Sequence, residues 1–265
     1  MATTERFPLD LEALKCVYTC IDNTTLEGYD THQRVQQLCQ HSIDLQDESK
    51  GIGHVAAVCV YPVYVRLAKK CLEGSGISVA SVAGAFPSGQ SPIAVKLHEV
   101  QYAIDEGADE IDTVISRGSF LEGNYNKVYD EIAAIREITS GHILKVILET
   151  GELCSSDNIA KASELAIAAG ADFIKTSTGK IAVSATLEAA EVILKTIKKH
   201  HDTTNKWVGF KAAGGISTPE EVLKYYLLAT QIVGKKQTTN QFFRIEASRL
   251  TNRLFDFLTE RFSEM

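Results

Sequence analysis

The feature that most constrains the fold is an eightfold alternation of short apolar runs with longer segments of helical periodicity. Such runs of β-branched, aromatic and small residues are typical of buried strands, and the segments between them space apolar residues as amphipathic helices do. The candidate strands are residues 17–22, 55–61, 78–84, 110–116, 143–149, 173–177, 208–214 and 242–248. Eight βα units joined by right-handed crossovers predict one α/β domain over residues 1–265, a (β/α)8 TIM barrel with a short N-terminal helix.

A doubly wound open sheet is the alternative that this alternation leaves open. Such sheets often carry Gly-x-Gly-x-x-Gly after the first strand, where it holds a dinucleotide. This chain has "DNTTLEG" at that place. The closed barrel is therefore the favoured prediction.

Charged residues lie inside several of the apolar strands, where an unpaired charge costs several kcal/mol. Side chains of barrel strands alternate between the interior and the helix layer. Apolar neighbours such as Ile111 and Ile174 suit the helix layer, so the charged residues are predicted to point inward. They are Asp112, Lys145, Glu149, Lys175 and Lys211.

Two inward lysines on neighbouring strands indicate amine chemistry. A lysine attacks a carbonyl only when it is neutral, so its pKa must fall from about 10.4 to about 7, which takes roughly 4 kcal/mol. Burial and a second ammonium group both act in that direction. Lys175 and Lys211 could provide both effects, and Asp112 could then move protons, directly or through a water molecule.

These residues also have structural interpretations. An inward lysine is most often an ion-pair partner, and we expect Lys145 and Glu149 to support the network rather than react. Asp22, at the end of the first strand, is either a loop cap or a carboxylate of the site. Cys59 is more often a small buried residue than a nucleophile.

Glycine-rich turns follow the sixth and seventh predicted strands. "STGK" and "AAGGIS" place Gly179, Gly214 and Gly215 at the C-terminal mouth, where backbone N–H groups of barrel enzymes often hold phosphate. Lys180 could add a positive charge there. Tight turns need glycine in any case, so it is the position after the last strands that favours a phosphate site.

Composition excludes several classes of partner. A net charge of −7 argues against nucleic acid and anionic membrane surfaces. No stretch reaches the roughly 18 apolar residues of a membrane span, and the first residues lack the apolar run of a signal peptide. Six cysteines without paired metal-site spacing are expected to be reduced thiols, which is typical of a cytoplasmic protein.

Together the motifs resemble one family, the deoxyribose-phosphate aldolases, which are class I aldolases that form a Schiff base. The resemblance runs from about residue 14 to about residue 250 and is most specific in "LKVILETGEL", "GADFIKTSTGK" and "VGFKAAGGIS". "IDNTTL", "AAVCVYP", "AFPSG" and "GADEID" match as well. The resemblance implies reversible cleavage of 2-deoxy-D-ribose 5-phosphate to acetaldehyde and D-glyceraldehyde 3-phosphate, with no metal or organic cofactor.

The family's roles fall on particular residues of this chain. The resemblance implies that Lys175 forms the Schiff base, that Lys211 lowers the pKa of that lysine, and that Asp112 transfers protons with a water molecule. The residues expected to contact substrate are Asp22, Thr24, Cys59, Phe86, Lys145, Thr178, Gly179, Lys180, Gly214, Gly215 and Ser248. The implied partners are small aldehydes and sugar phosphates, and a homodimer is the family's usual assembly.

The chain departs from the family pattern around the phosphate. The last strand of the family usually reads "GASS", whereas this chain has "EASR", which places Glu246 and Arg249 there. Ser217 follows "GGI" where many members have a basic residue, and the C-terminal "ERFSEM" offers no tyrosine for proton transfer. Glu246 is expected to repel a phosphate dianion, so a related class I aldolase with an altered or non-phosphorylated aldehyde remains an alternative.

Three further alternatives differ in chemistry. A transaldolase-like or other Schiff-base sugar-phosphate aldolase would share the lysines and differ in its donor. A metal-dependent lyase or hydrolase would need inward histidine or carboxylate clusters, and the seven histidines fall mostly in helices or loops. A barrel kept only for binding would have no need for Asp112, Lys175 and Lys211 together.

Overall fold

A computed structural model describes residues 10–49 and 51–263 of the chain, and within them eight parallel strands close into a barrel in sequence order. The strands are β1 (Ile21–Thr24), β2 (Ala57–Val60), β3 (Ser78–Ala83), β4 (Glu110–Val114), β5 (Ile143–Ile147), β6 (Phe173–Lys175), β7 (Gly209–Ala213) and β8 (Phe243–Ala247). Closure is direct, because Asp22 of β1 pairs with Glu246 of β8. The predicted barrel is confirmed, and the open sheet is excluded.

Ten α-helices accompany the strands in the described residues, and short 3-10 turns complete several loops. They are α1 (Leu11–Tyr18), α2 (His32–Glu48), α3 (Val65–Cys71), α4 (Ile93–Asp105), α5 (Arg117–Leu121), α6 (Tyr125–Ile138), α7 (Ser156–Ala168), α8 (Leu187–Thr204), α9 (Pro219–Val233) and α10 (Leu250–Ser263). No helix of the described part combines the length and the apolar character that a bilayer crossing needs. A single domain over residues 1–265 stays a prediction, since residues 1–9, 50 and 264–265 lie outside the described residues.

The first strand begins later than predicted. Residues 17 and 18 of the predicted strand 17–22 belong instead to α1, whose buried Leu14, Val17 and Tyr18 follow helical spacing. Asp10 caps this helix by accepting a hydrogen bond from the backbone N–H of Ala13. One apolar run therefore contains both the end of a helix and the start of a strand. As a result, β1 covers only residues 21–24.

Small side chains inside one half of the barrel leave room for long ones from the other half. Ala57, Cys59 and Ala80 of β2 and β3 are fully buried in an inner cluster with Leu26 and Val82. The long charged side chains of the opposite strands fill the remaining space. The helix-facing side chains form a separate and much larger apolar layer, to which Ile111, Ile174 and Phe210 belong.

Candidate active site

The lower part of the barrel interior contains a fork of hydrogen bonds from Arg244. Its guanidinium donates to Asp22 Oδ1 at 2.6 Å and to Glu110 Oε1 at 2.8 Å. Lys145 Nζ approaches Glu110 Oε2 to 2.5 Å. Strand alternation explains the position of Arg244, because its neighbours Phe243 and Ile245 pack in the helix layer.

Asp112 lies at the centre of the next layer and binds all three predicted lysines. Its Oδ1 accepts from Lys145 at 2.8 Å, and its Oδ2 accepts from Lys175 at 2.9 Å and from Lys211 at 2.7 Å. Lys211 also donates to Asp22 at 2.6 Å. All five side chains are fully buried. The structure thus brings together the three residues that sequence analysis proposed as catalytic.

Glu246 completes this cluster from β8. Its Oε2 contacts Lys175 Nζ directly and lies 3.1 Å from Lys211 Nζ. The sequence predicted this residue beside the phosphate; in the structure it does line the cavity at the mouth, and its carboxylate also contacts the amine of Lys175. The side chain of Glu246 is long enough to reach back from the mouth of the barrel to the lysine layer.

The cluster is balanced, with four cations facing four carboxylates. The cations are Lys145, Lys175, Lys211 and Arg244, and the carboxylates are Asp22, Glu110, Asp112 and Glu246. Sequence analysis missed Glu110 and Arg244. The alternation that identified Asp112 also marks Glu110, two residues before it on β4, and the same rule marks Arg244.

Ion pairing outweighs burial for the inner groups. Burial alone would raise the pKa of Asp112, but the ammonium groups around it hold that pKa well below its usual range. The pKa of Asp22 is lowered in the same way by Lys211, Lys145 and Arg244. Conversely, burial would lower the pKa of Lys211, but the carboxylates of Asp112 and Asp22 hold it well above its usual value. Lys211 is therefore a permanent ammonium group at neutral pH.

A cavity of about 340 Å³ opens above the cluster at the C-terminal mouth of the barrel. Its wall includes seven residues that sequence analysis proposed for substrate: Thr24, Thr178, Gly179, Lys180, Gly214, Gly215 and Ser248. The three departures from the family pattern, Ser217, Glu246 and Arg249, lie in the same wall. Arg34 and Glu27 complete its charged groups, and Glu27 pairs with Lys180 at 3.1 Å.

Other proposed substrate residues do not line this cavity. Asp22 and Lys145 lie deeper, within the charged cluster. Cys59 belongs to the inner apolar cluster, and Phe86 packs against it with an edge-on contact to Tyr61 at 6.0 Å between ring centroids.

The match to known proteins decides the family. Residues 16–235 match the profile described as DeoC/LacD family aldolase. This chain belongs to that family. The deoxyribose-phosphate aldolase of Mus musculus is 45% identical over 248 residues, covering 89% of this chain and 77% of the mouse protein. The enzyme of the same name from Homo sapiens is 43% identical over 250 residues, with shares of 89% and 77%.

Solved structures agree with this assignment. The tetrameric deoxyribose phosphate aldolase from Aeropyrum pernix superposes with a TM-score of 0.72 at 25% identity, covering 95% of this chain and 97% of that chain. The protein described here is thus an aldolase, a carbon–carbon lyase, on a TIM barrel. The family resemblance inferred from the motifs is confirmed.

Glu149 organises the loop after β6 of this aldolase. The sequence pattern predicted it on the inward face of the same strand as Lys145, but β5 ends at Ile147 and the backbone of Glu149 adopts a left-handed conformation at φ 59°. Its carboxylate is buried and accepts from Thr178 N at 3.1 Å and from Thr178 Oγ1 at 2.5 Å. Arg117 pairs with it at 3.1 Å. The predicted inward position beside the charged cluster was therefore wrong for Glu149, which supports the glycine loop instead.

Three side chains in the described part of the aldolase carry atoms of the kind that bind metal ions. Single atoms of Cys59, Asp112 and Glu246 lie within 4.8 Å of one another. Burial raises the pKa of Cys59 to about 12, so the thiol stays protonated, and both carboxylates already bind the ammonium groups of Lys175 and Lys211. A cation would have to displace these ammonium groups and the thiol proton, so the donor set does not suit a metal.

Proposed function

We propose that this aldolase cleaves 2-deoxy-D-ribose 5-phosphate reversibly to acetaldehyde and D-glyceraldehyde 3-phosphate through a Schiff base on Lys175. The observation that carries the proposal is the arrangement at the top of the charged cluster. There Lys175 and Lys211 share Asp112 directly beneath a cavity whose wall holds two glycine loops and Lys180.

Three buried lysines could in principle react, and their surroundings separate them. Lys145 contacts Asp22, Glu110 and Asp112, and Lys211 contacts Asp22, Asp112 and Glu246. Lys175 contacts only two carboxylates of the described residues, and one of them, Glu246, is itself part of the cavity wall. Lys175 is therefore the amine held by the fewest carboxylates, and Glu246, which contacts it directly, also lines the cavity.

The reaction follows from these positions. The neutral amine of Lys175 attacks C1 of the open-chain aldehyde, and loss of water gives a protonated imine. Removal of the proton of the C3 hydroxyl breaks the C2–C3 bond, releases glyceraldehyde 3-phosphate and leaves an enamine. Protonation of the enamine at C2, followed by hydrolysis, releases acetaldehyde. Asp112, 2.9 Å from the nitrogen of Lys175, is placed to pass these protons through a water molecule.

The phosphate fits the loops above the cluster. A Cβ on Gly214 would lie 2.5 Å from Cβ of Ser184 and 3.0 Å from Cα of Gly179, so the loop after β7 needs glycine at this position to come this close to the loop after β6. Ser248 immediately precedes Arg249 and the N-terminus of α10, whose free N–H groups and dipole favour an anion. With Lys180, these groups would hold the phosphate.

Two further properties remain predictions. The six cysteines are free thiols, which supports a cytoplasmic enzyme. A homodimer is expected from the family, and light scattering of the purified protein would distinguish it from a tetramer such as that of the Aeropyrum pernix enzyme.

Trapping with borohydride tests the proposed function. Incubation with acetaldehyde and borohydride should place an ethyl group on the peptide that contains Lys175, and Lys175→Met should lose it. An adduct on another lysine would overturn the assignment of the nucleophile. Faster reaction with dihydroxyacetone phosphate than with acetaldehyde would instead favour a transaldolase-like enzyme, and equal kcat/KM for deoxyribose and its 5-phosphate would favour the non-phosphorylated substrate.

A further inference from the structure

Glu246 connects the amine of Lys175 to the cavity where the phosphate is expected. One carboxylate oxygen, Oε2, contacts Lys175 Nζ and lies 3.1 Å from Lys211 Nζ. The other, Oε1, faces the glycine loop, since a Cβ on Gly179 would lie 3.9 Å from it. Among the described residues, Glu246 alone both contacts this amine and lines the cavity.

We propose that Glu246 is a catalytic residue that accepts the proton of Lys175 when a phosphate dianion occupies the cavity, so that the charge of the substrate generates the nucleophile. The proposal rests on the proposed function, because it assigns a step of that reaction to this side chain. It also reverses the expectation from sequence that Glu246 merely weakens phosphate binding.

Two carboxylates hold the amine of Lys175 in the structure. Lys175 lies between the carboxylates of Asp112 and Glu246, in a cluster whose four positive and four negative charges balance. An amine can attack a carbonyl only after it has lost its proton, and both neighbouring carboxylates hold the nitrogen of Lys175 by ion pairs. An aldehyde without a charged group adds no charge to the site that would favour transfer of the proton from Lys175.

A phosphate at the glycine loops changes this balance. The dianion would lie on the Oε1 side of Glu246, closer to its carboxylate than to the nitrogen of Lys175. When the proton moves from Nζ to Oε2, one positive charge moves toward the dianion, and the total charge of the site stays the same. The products are a neutral amine and a neutral carboxylic acid. Arg249 and Lys180, in the same wall, attract the dianion to this position.

Asp112 is less suited to accept this proton. Its two oxygens already accept from Lys145, Lys175 and Lys211, and it is not among the residues that line the cavity. Glu246 differs because Oε1 makes no hydrogen bond to another described residue. A charge in the cavity therefore acts on Glu246 more strongly than on Asp112.

The test separates the anion from the aldehyde. The rate of borohydride-trapped adduct formation on Lys175 with acetaldehyde is measured at pH 7, with and without phosphite as a free dianion. Phosphite should raise this rate about tenfold in the native protein. A tenfold change corresponds to about 1.4 kcal/mol, which the Coulomb interaction between the bound dianion and the transferred proton can supply. In Glu246→Gln, which keeps the shape of the side chain, and in Glu246→Gly, phosphite should give no acceleration.

Glu106→Gln is the control, because Glu106 pairs with Arg66 at 2.6 Å, lies outside the cavity wall and makes no contact with Lys175. It should retain the acceleration. Thermal unfolding of each variant shows that the compared proteins are folded. Three results would overturn the inference: no effect of phosphite on the native protein, inhibition by phosphite, or equal acceleration in Glu246→Gln. An adduct on Lys175 would still support the proposed function in each of these cases. Absence of any adduct on Lys175 up to alkaline pH would overturn both.

Discussion

Lys175 and Lys211 occupy paired positions on β6 and β7, and both ammonium groups bind the same oxygen of Asp112, at 2.9 and 2.7 Å. One carboxylate oxygen thus fixes the two amines side by side. Because Lys211 keeps its proton, its charge acts permanently on Lys175. How readily Lys175 loses its proton therefore depends on which carboxylates offset the charge of Lys211.

Replacing Lys211 by leucine should make Lys175 harder to activate. The cluster would then hold three cations against four carboxylates, so the ammonium form of Lys175 would be favoured. We expect borohydride trapping with acetaldehyde at pH 7 to slow by about tenfold or more and to recover at higher pH. An unchanged pH profile in a folded variant would show that Lys211 does not control the amine.

Replacing Arg244 by methionine should destabilise the barrel strongly. The change removes the bonds of 2.6 and 2.8 Å to Asp22 and Glu110, and it leaves these two carboxylates under-compensated in the interior. Breaking a buried ion pair in this way costs about 3–5 kcal/mol in the free energy of unfolding. Urea denaturation measures the difference.

Arg66→Met provides the control for Arg244. Arg66 pairs with Glu106 at 2.6 Å on the surface, and 76% of its side chain is exposed. Its loss should leave the urea midpoint nearly unchanged, since water screens exposed pairs. A similar small effect in both variants would mean that the buried fork contributes no more than a surface pair.

The charged cluster should make stability depend on pH at both extremes. Asp22 and Asp112 have pKa values lowered from 3.8, so their contribution is present above about pH 4 and is lost as the pH falls below that value. Lys145 and Lys211 have pKa values raised from 10.5, so their contribution is present below that pH and is lost as the pH rises through the still higher folded values. Urea midpoints measured from pH 3 to pH 11 should therefore form a plateau with a fall on each side. A midpoint that rises between pH 5 and pH 3 would contradict this assignment.

Replacing Glu149 by glutamine should weaken phosphate recognition through the loop after β6. A glutamine amide can accept one of the two bonds from Thr178 but cannot offset the charge of Arg117. We expect KM for deoxyribose 5-phosphate to rise about tenfold, while activity on deoxyribose changes little. Glu152→Gln is the control, because Glu152 pairs with Arg117 at 2.9 Å, is 44% exposed and lies outside the contacts of Thr178. Equal effects of the two variants would show that the loop does not depend on Glu149.

Strand alternation was sufficient to predict much of this architecture. Asp112, Lys175 and Lys211 each interrupt an apolar run with one charge, and each points inward as the pattern indicates. The depth of a side chain within the barrel could not be predicted in this way, because it depends on the register between strands that are far apart in sequence. Arg244 pairs with Lys211 in register, and no local pattern reveals this neighbour.

The errors have local physical causes. Glu149 leaves the inner face because a left-handed backbone ends the alternation after β5, and no periodic rule anticipates such a residue. For Glu246, analogy with the family's last strand predicted a position beside the phosphate, and the residue does line the cavity, but the analogy did not predict its contact with Lys175. Only the length of its side chain and the closure of β8 against β1 bring it to Lys175.

The fork from Arg244 to Asp22 and Glu110 joins β8 to β1 and β4 across the barrel interior. If the register of β8 shifted by one residue, Arg244 and Glu246 would both point into the apolar helix layer and lose their counter-ions. A misaligned barrel would therefore bury charges without counter-ions, so the ion pairs of the interior favour the correct register of β8.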